Sequence, residues 1–321
     1  MKASQIIVTA CIAGAALLSS TGVIAKTAKV AVSQIVEHPA LDATRQGLLD
    51  GLKEKGYIEG KNLEFEYRTA QGNPAIAVQI ARQFVGENPD VLVGIATPTA
   101  QALVSSTRSI PVVFTAVTDP VGAKLVGSMK QPGKNVTGLS DLSPVAQHVD
   151  LIQEILPNVK SIGVVYNPGE ANAVTLVDLL KEAAEAKGLK VIEATALKSA
   201  DVQSATQAIS AKSDVIYAPT DNTVASAIEG MIVAANQAKI PVLGGATSYV
   251  EKGAVASLGF DYYQVGVQTA DYVAAILEGA EPGSLDVNVA KGSDLVVNKT
   301  AAEKIGVTIP KSVLDRATSI K

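Results

Sequence analysis

The sequence predicts two doubly wound, parallel-sheet α/β domains joined by a multi-strand hinge, and three observations predict it. The order strand, helix, strand, helix, strand, helix, strand occurs twice along the chain. The copies lie about 130 residues apart, too far for a solenoid repeat and suited to whole domains. The strand runs are apolar throughout, as in Val91-Leu92-Val93-Gly94-Ile95 and Ile162-Gly163-Val164-Val165. Parallel strands covered by helices on both faces require such runs.

The elements follow in order. Met1-Lys2 is a short positive start, Ile6 to Leu18 an apolar run, and Val23-Ile24-Ala25 a small-residue cleavage site, so residues 1–25 read as a signal peptide. Val8-Thr9-Ala10-Cys11 resembles a lipobox, but few apolar residues precede Cys11, and a cleaved, soluble periplasmic product is the expectation. In the first copy, Lys29 to Val32 is a strand, and His38-Pro39 opens a polar turn. Leu41, Leu48, Leu49 and Leu52 then share one helical face, and Gly56 supplies the left-handed stop. Asp90 to Val93, a Thr97-Pro98-Thr99 turn and Ile110-Pro111-Val112-Val113 continue it. The second copy runs Ile162 to Tyr166, Asn167-Pro168, then a helix with Leu176, Leu179, Leu180 and Ala183 that stops at Gly188. Asp214 to Tyr217, Pro219 to Asn222 and Ile240 to Leu243 match the first copy's end. Asn135 to Asp141 leads out of the first domain without a flexible linker. Gly259-Phe260-Asp261-Tyr262 opens a helix to about Gly279, and Asp294 to Asn298 forms a last strand. The expected division is residues 26–140 plus about 261–290 in one lobe and 141–260 plus about 291–321 in the other.

Composition narrows the function. A net charge of −4 in 321 residues, or −5 once Lys2 is removed, and the lack of any basic run argue against nucleic acid. Cys11 is the single cysteine, so the mature chain has no disulfide and no thiolate metal site. His38 and His148 are the two histidines. They lie too far apart in sequence to suggest zinc, and neither a metal nor a cofactor is expected. His148 reads as an exposed helical residue. No G-x-S-x-G, H-E-x-x-H, P-loop or G-x-G-x-x-G pattern is present, which favours binding over catalysis. Tryptophan is absent, which disfavours a stacked sugar.

Right-handed crossovers put every strand-to-helix loop at the carboxyl edge of its sheet, so candidate ligand contacts follow from position. In the first domain these are Gln34, His38, Thr97, Pro98, Thr99, Thr118 and Asp119, with Ser140 at the exit strand. In the second they are Asn172, Asp221 and Asn222, and Asp261 stands at a crossover. Thr97-Pro98-Thr99 at a helix start reads as a carboxylate holder or as simple capping. Asp221 and Asp261, with Asp119 in reserve, read as ammonium partners or as helix caps. An anion-binding helix end facing acids is the pattern for a zwitterion.

In order, His38-Pro39-Ala40-Leu41-Asp42, Gly47 with Gly51-Leu52 and Gly56-Tyr57, Gly94 to Pro98, Ile110 to Phe114, Asp119-Pro120-Val121, Asn135 to Gly138 and Asn167 to Glu170 resemble one family. It is the periplasmic substrate-binding proteins of ABC importers, of the tryptophan/tyrosine type, and the resemblance covers the whole mature chain. It implies the type I periplasmic-binding fold, closure of two lobes on one ligand, an aromatic amino acid as that ligand, and delivery by a monomer to an inner-membrane permease. Two other readings remain: a ligand sensor of the same fold, and an exported hydrolase using cleft carboxylates.

Overall fold

The computed structural model describes residues 27–321, so the expected signal peptide and Cys11 lie outside the described residues. The first copy comprises β1 (Ala28–Gln34), α1 (Pro39–Glu54), β2 (Leu63–Thr69), α2 (Pro74–Glu87), β3 (Val91–Ile95), α3 (Thr97–Ser106), β4 (Val112–Val117) and β5 (Val136–Ser140). A linking helix, α4 (Val145–Ile155), leads to β6 (Ser161–Tyr166), α5 (Ala171–Ala186), β7 (Lys190–Thr195), α6 (Val202–Ser210) and β8 (Val215–Ala218). The second copy continues with α7 (Asn222–Ala225), α8 (Ile228–Gln237), β9 (Val242–Gly244), α9 (Ser248–Glu251) and β10 (Ala256–Gly259). The chain ends with α10 (Tyr262–Leu277), β11 (Asn288–Val289), β12 (Asp294–Val297), α11 (Lys299–Lys304), α12 (Lys311–Asp315) and β13 (Ser319–Ile320).

Two sheets result. The first has strand order β11-β5-β4-β3-β1-β2 and the second β13-β12-β10-β9-β8-β6-β7. Inside them, β2-β1-β3-β4-β5 and β7-β6-β8-β9-β10 are the same order, so the sequence repeat is a repeat of topology. Every pairing is parallel except β10 with β12. Strand order reverses between β1 and β3 and between β6 and β8, and such switch points open a crevice at the carboxyl ends of the strands. Gly56 (φ 90°) and Gly188 (φ 69°) end the matching helices α1 and α5 in the left-handed region.

β3, β4 and β5 are buried along their full length, as continuous apolar runs demand. One apolar cluster fills the first sheet's layers and continues into one face of the second sheet, through Val165, Ile216 and Tyr249 among others. A second cluster covers the other face, with Ile162, Val164, Tyr217 and Leu176. His148 belongs to that buried layer. It lies in α4 on the stripe of Val145, Val149 and Ile152, and its ring nitrogens meet Tyr217 Oη at 2.8 Å and the Leu258 carbonyl at 2.7 Å. The exposed position read from its polarity is therefore corrected: two internal partners let the imidazole be buried.

The chain passes between the sheets three times, after β5, after β10 and between β11 and β12. α10 returns to the first sheet and packs along α1. The helices touch through glycine: a Cβ on Gly47 would lie 2.0 Å from the Tyr263 carbonyl oxygen, and one on Gly266 would lie 2.0 Å from that of Thr44.

Candidate functional site

The carboxyl ends of the two sheets line a small cavity. From the first sheet come His38 and Leu41 of the β1–α1 turn, with Ala116 and Thr118 at the end of β4. Ala116 has φ 51° where the β4–β5 register shifts, and this left-handed alanine re-aims the strand end. Asn172, Thr220, Asp221, Asn222 and Tyr249 come from the second sheet's loops, and Asp141 and Tyr262 from the crossings.

Each wall is pinned from behind. Gln34 Nε2 donates to the Val36 carbonyl and to Asp42 Oδ1, both at 2.9 Å, which holds the turn that carries His38. Ser140 Oγ donates to the Thr118 carbonyl at 2.9 Å. On the other side Glu170 ties two loops together. Its carboxylate accepts from Asn222 N and Nδ2, from Thr223 N and Oγ1, and from Asn172 Nδ2. Asp221 caps α7 through Val224 N (2.9 Å) and also accepts from Asn167 N (2.6 Å). Tyr249 Oη donates to the Pro219 carbonyl at 3.0 Å.

Of the residues expected from sequence, the cavity gathers His38, Thr118, Asn172, Asp221 and Asn222. Gln34 and Ser140 stand one layer behind as supports. Thr97, Pro98 and Thr99 lie outside it. The Thr99 hydroxyl donates to the Ile95 and Ala96 carbonyls, Thr97 Oγ1 is buried without a partner, and Pro98 lines a larger open groove of about 910 Å³. Asp119 and Asp261 are spent locally: Asp119 accepts from Gly122 N within a turn, and Asp261 caps α10 through Tyr263 N and Gln264 N. Among the described residues no cluster of His, Cys, Asp and Glu could hold a metal ion, and no helix is long and apolar enough to cross a membrane.

The sequence reading did not single out Asp141, Tyr249 or Tyr262 as contacts, and it held Thr220 only within the edge loop Pro219 to Asn222. Asp141 is fully buried where the exit strand ends. Tyr262 Oη donates to Asp141 Oδ2 at 2.7 Å, and Thr118 Oγ1 lies 3.5 Å from Oδ1. Its signal was an acid directly after an apolar crossing strand.

The electrostatics are one-sided. Neither lysine nor arginine lines the cavity. Burial pushes the Asp141 carboxyl above its usual range against the donors around it. Burial, then the neighbouring Glu170 charge, pushes Asp221 well above it. Desolvation lowers His38 to about 4, against the opposing pull of its Asn222 hydrogen bond and the Asp42 charge, so the ring is neutral near pH 7. His38 Nε2, Asn172 Oδ1 and Thr220 Oγ1 are buried without protein partners. Buried polar atoms are paired as a rule, so these three atoms are exceptions gathered in one place.

A cavity at the facing switch points of two such sheets is the place where proteins of this architecture bind small molecules. The family model for ABC transporter substrate binding proteins matches residues 29–321, and the chain belongs to that family. It is 35% identical over 274 residues to the tyrosine-binding protein of Clostridioides difficile, spanning 85% of this chain and 79% of the relative. A conserved domain protein from Vibrio cholerae is 84% identical, with a TM-score of 0.92, covering 92% of this chain and 100% of that one. The L-Trp complex of an ABC domain from Streptococcus pneumoniae is 38% identical, with a TM-score of 0.89 over the same shares. The ligand-free, open form of a Clostridium difficile substrate-binding protein is 36% identical, yet its TM-score is 0.70 over 92% of this chain and 99% of that one.

Proposed function

We propose that this protein is an exported receptor that closes over one aromatic amino acid and delivers it, as a monomer, to an ABC permease in the inner membrane. Residues 26–140 with about 261–290, and 141–260 with about 291–321, move as its two rigid lobes. One observation carries the reading: a closed cavity whose walls offer a buried carboxylate, unpartnered polar atoms and two tyrosine rings but no cationic side chain. A zwitterion supplies the missing positive charge and uses the polar atoms, and Tyr249 and Tyr262 bring aromatic side chains to the lining. The relatives that bind tyrosine and tryptophan support the same class of ligand. Binding near micromolar affinity corresponds to about −8 kcal/mol, within reach of a few charge-assisted hydrogen bonds and one buried ring.

Calorimetry and thermal-shift assays with L-tryptophan, L-tyrosine, L-phenylalanine, L-leucine and glucose test it. At a ligand concentration of about 100 times Kd, the native state gains about 2.7 kcal/mol, so an aromatic amino acid should raise Tm clearly. Stabilisation by glucose, with no response to any amino acid, would overturn the reading.

A further inference from the structure

We propose that Asp141, held by Tyr262, is the receptor for the ligand's ammonium group, and that this contact makes closure of the lobes depend on the ligand's positive charge. The inference rests on the reading of the cavity as an amino-acid site.

Two acids line the cavity, Asp141 and Asp221, and a third, Glu170, stands behind its wall; they are not equivalent. Asp221 spends both oxygens on backbone N–H groups, at 2.6 and 2.9 Å. Glu170 accepts from donors on two loops. Both are fasteners of the second lobe, complete before any ligand arrives. Asp141 has one short bond, from Tyr262, and a long one, from Thr118, besides its own backbone N–H. An ionised carboxylate offers about four acceptor sites, so Asp141 keeps capacity that its surroundings do not fill.

A second observation points the same way. Asn172 is 4% exposed and its Oδ1 has no partner. The orientation of this amide is fixed, because Nδ2 faces two acceptors, the Thr220 carbonyl and Glu170 Oε2. Rotating the amide would set oxygen against oxygen. Asn172 Oδ1 is therefore an acceptor in want of a donor, in the same cavity as Asp141. An ammonium group brings three N–H donors and a full charge.

Placement supplies the coupling. Asp141 directly follows β5, where the chain leaves the first sheet, and Tyr262 opens α10, where it returns. Their hydrogen bond joins two of the three crossings. With the lobes apart, water solvates the carboxylate. Closing over an uncharged guest strands it in a cavity without a cation, which is unfavourable; closing over an ammonium pairs it.

The experiment is a cycle of two ligands and two proteins: L-tryptophan and indole-3-propionate, which lacks the amine, against the wild type and Asp141→Asn. Calorimetry should show the wild type preferring tryptophan by at least about 100-fold, and Asp141→Asn holding the two ligands within about threefold. Small-angle scattering should show the wild type compact with tryptophan and open with indole-3-propionate. A preference that survives Asp141→Asn, or one variant weakening both ligands equally, overturns the inference and leaves the amino-acid reading standing. A wild type that binds no aromatic amino acid defeats that reading itself. Asp141→Ser serves if the asparagine variant does not fold. Tyr262→Phe tests positioning: it should cut the amine preference about tenfold without changing affinity for indole-3-propionate, whereas a structural role alone would move both.

Discussion

Acid should loosen this protein's hold on its ligand through one residue, His38. The ring lies at the seam between the lobes, and desolvation holds its pKa at about 4 in the closed form. Once the lobes part, water returns and the ordinary value of about 6.5 applies. The closed-state value is the lower one, so closure takes up the neutral ring. Its contribution is complete above about pH 6.5 and is lost as pH falls towards about 4. Each pH unit between costs about 1.4 kcal/mol, so at about pH 5 closure has lost about 2 kcal/mol, or about 30-fold in affinity. The Asp141 and Asp221 carboxyls, which burial raises, titrate as well, but both are present in the wild type and in a His38 variant. Subtraction isolates the histidine. The affinity of the wild type for L-tryptophan, divided by that of His38→Gln, should fall about 30-fold between about pH 7.5 and about pH 5. A quotient constant within about twofold refutes the reasoning. His148 is lowered to about 4 as well, but within the second lobe's core, so its protonation should show in unfolding and not in binding.

Two further outcomes test the framework. Glu170→Ala leaves the backbone N–H groups of Asn222 and Thr223 without acceptors in a buried place and should cost about 2–4 kcal/mol in urea unfolding; a loss under about 0.5 kcal/mol would show that the loops hold without it. Gly47→Ala drives a methyl group into the Tyr263 carbonyl and should cost about 1–3 kcal/mol or more, read as a lower Tm, unless α1 and α10 can separate freely.

Legibility followed the physics of each scale. The repeated element order and the sheet class were readable because apolar runs and left-handed glycines such as Gly56 and Gly188 act locally. The edge loops were also readable, since right-handed crossovers fix them, and five expected contacts line the cavity. Which of two chemical uses an edge residue adopts was not. Asp119, Asp221 and Asp261 looked alike in sequence, and all three cap backbone N–H groups, but only Asp221 also lines the cavity. Thr99 binds its own helix entrance and leaves nothing for a ligand. His148 lay on an apolar stripe, but its partners are 69 and 110 residues away, beyond any periodicity. Asp141 depends on Tyr262, 121 residues on, for its neighbour.

The second lobe's half of the cavity is assembled without a ligand. Glu170 and Asp221 consume the N–H groups of Asn222, Thr223 and Val224, so the start of α7 has no free donors for a guest's carboxylate. The first lobe's half is set by Gln34 on Asp42 and by Ser140 on Thr118. With both walls fixed, little side-chain freedom remains to be lost on binding. Affinity then depends on what the closed state must satisfy: His38 Nε2, Asn172 Oδ1, Thr220 Oγ1 and the Asp141 charge. Each is tolerable in water and costly once sealed. Under the proposed function an empty cavity would favour the open arrangement, and the ligand's polar atoms would determine whether the lobes stay shut.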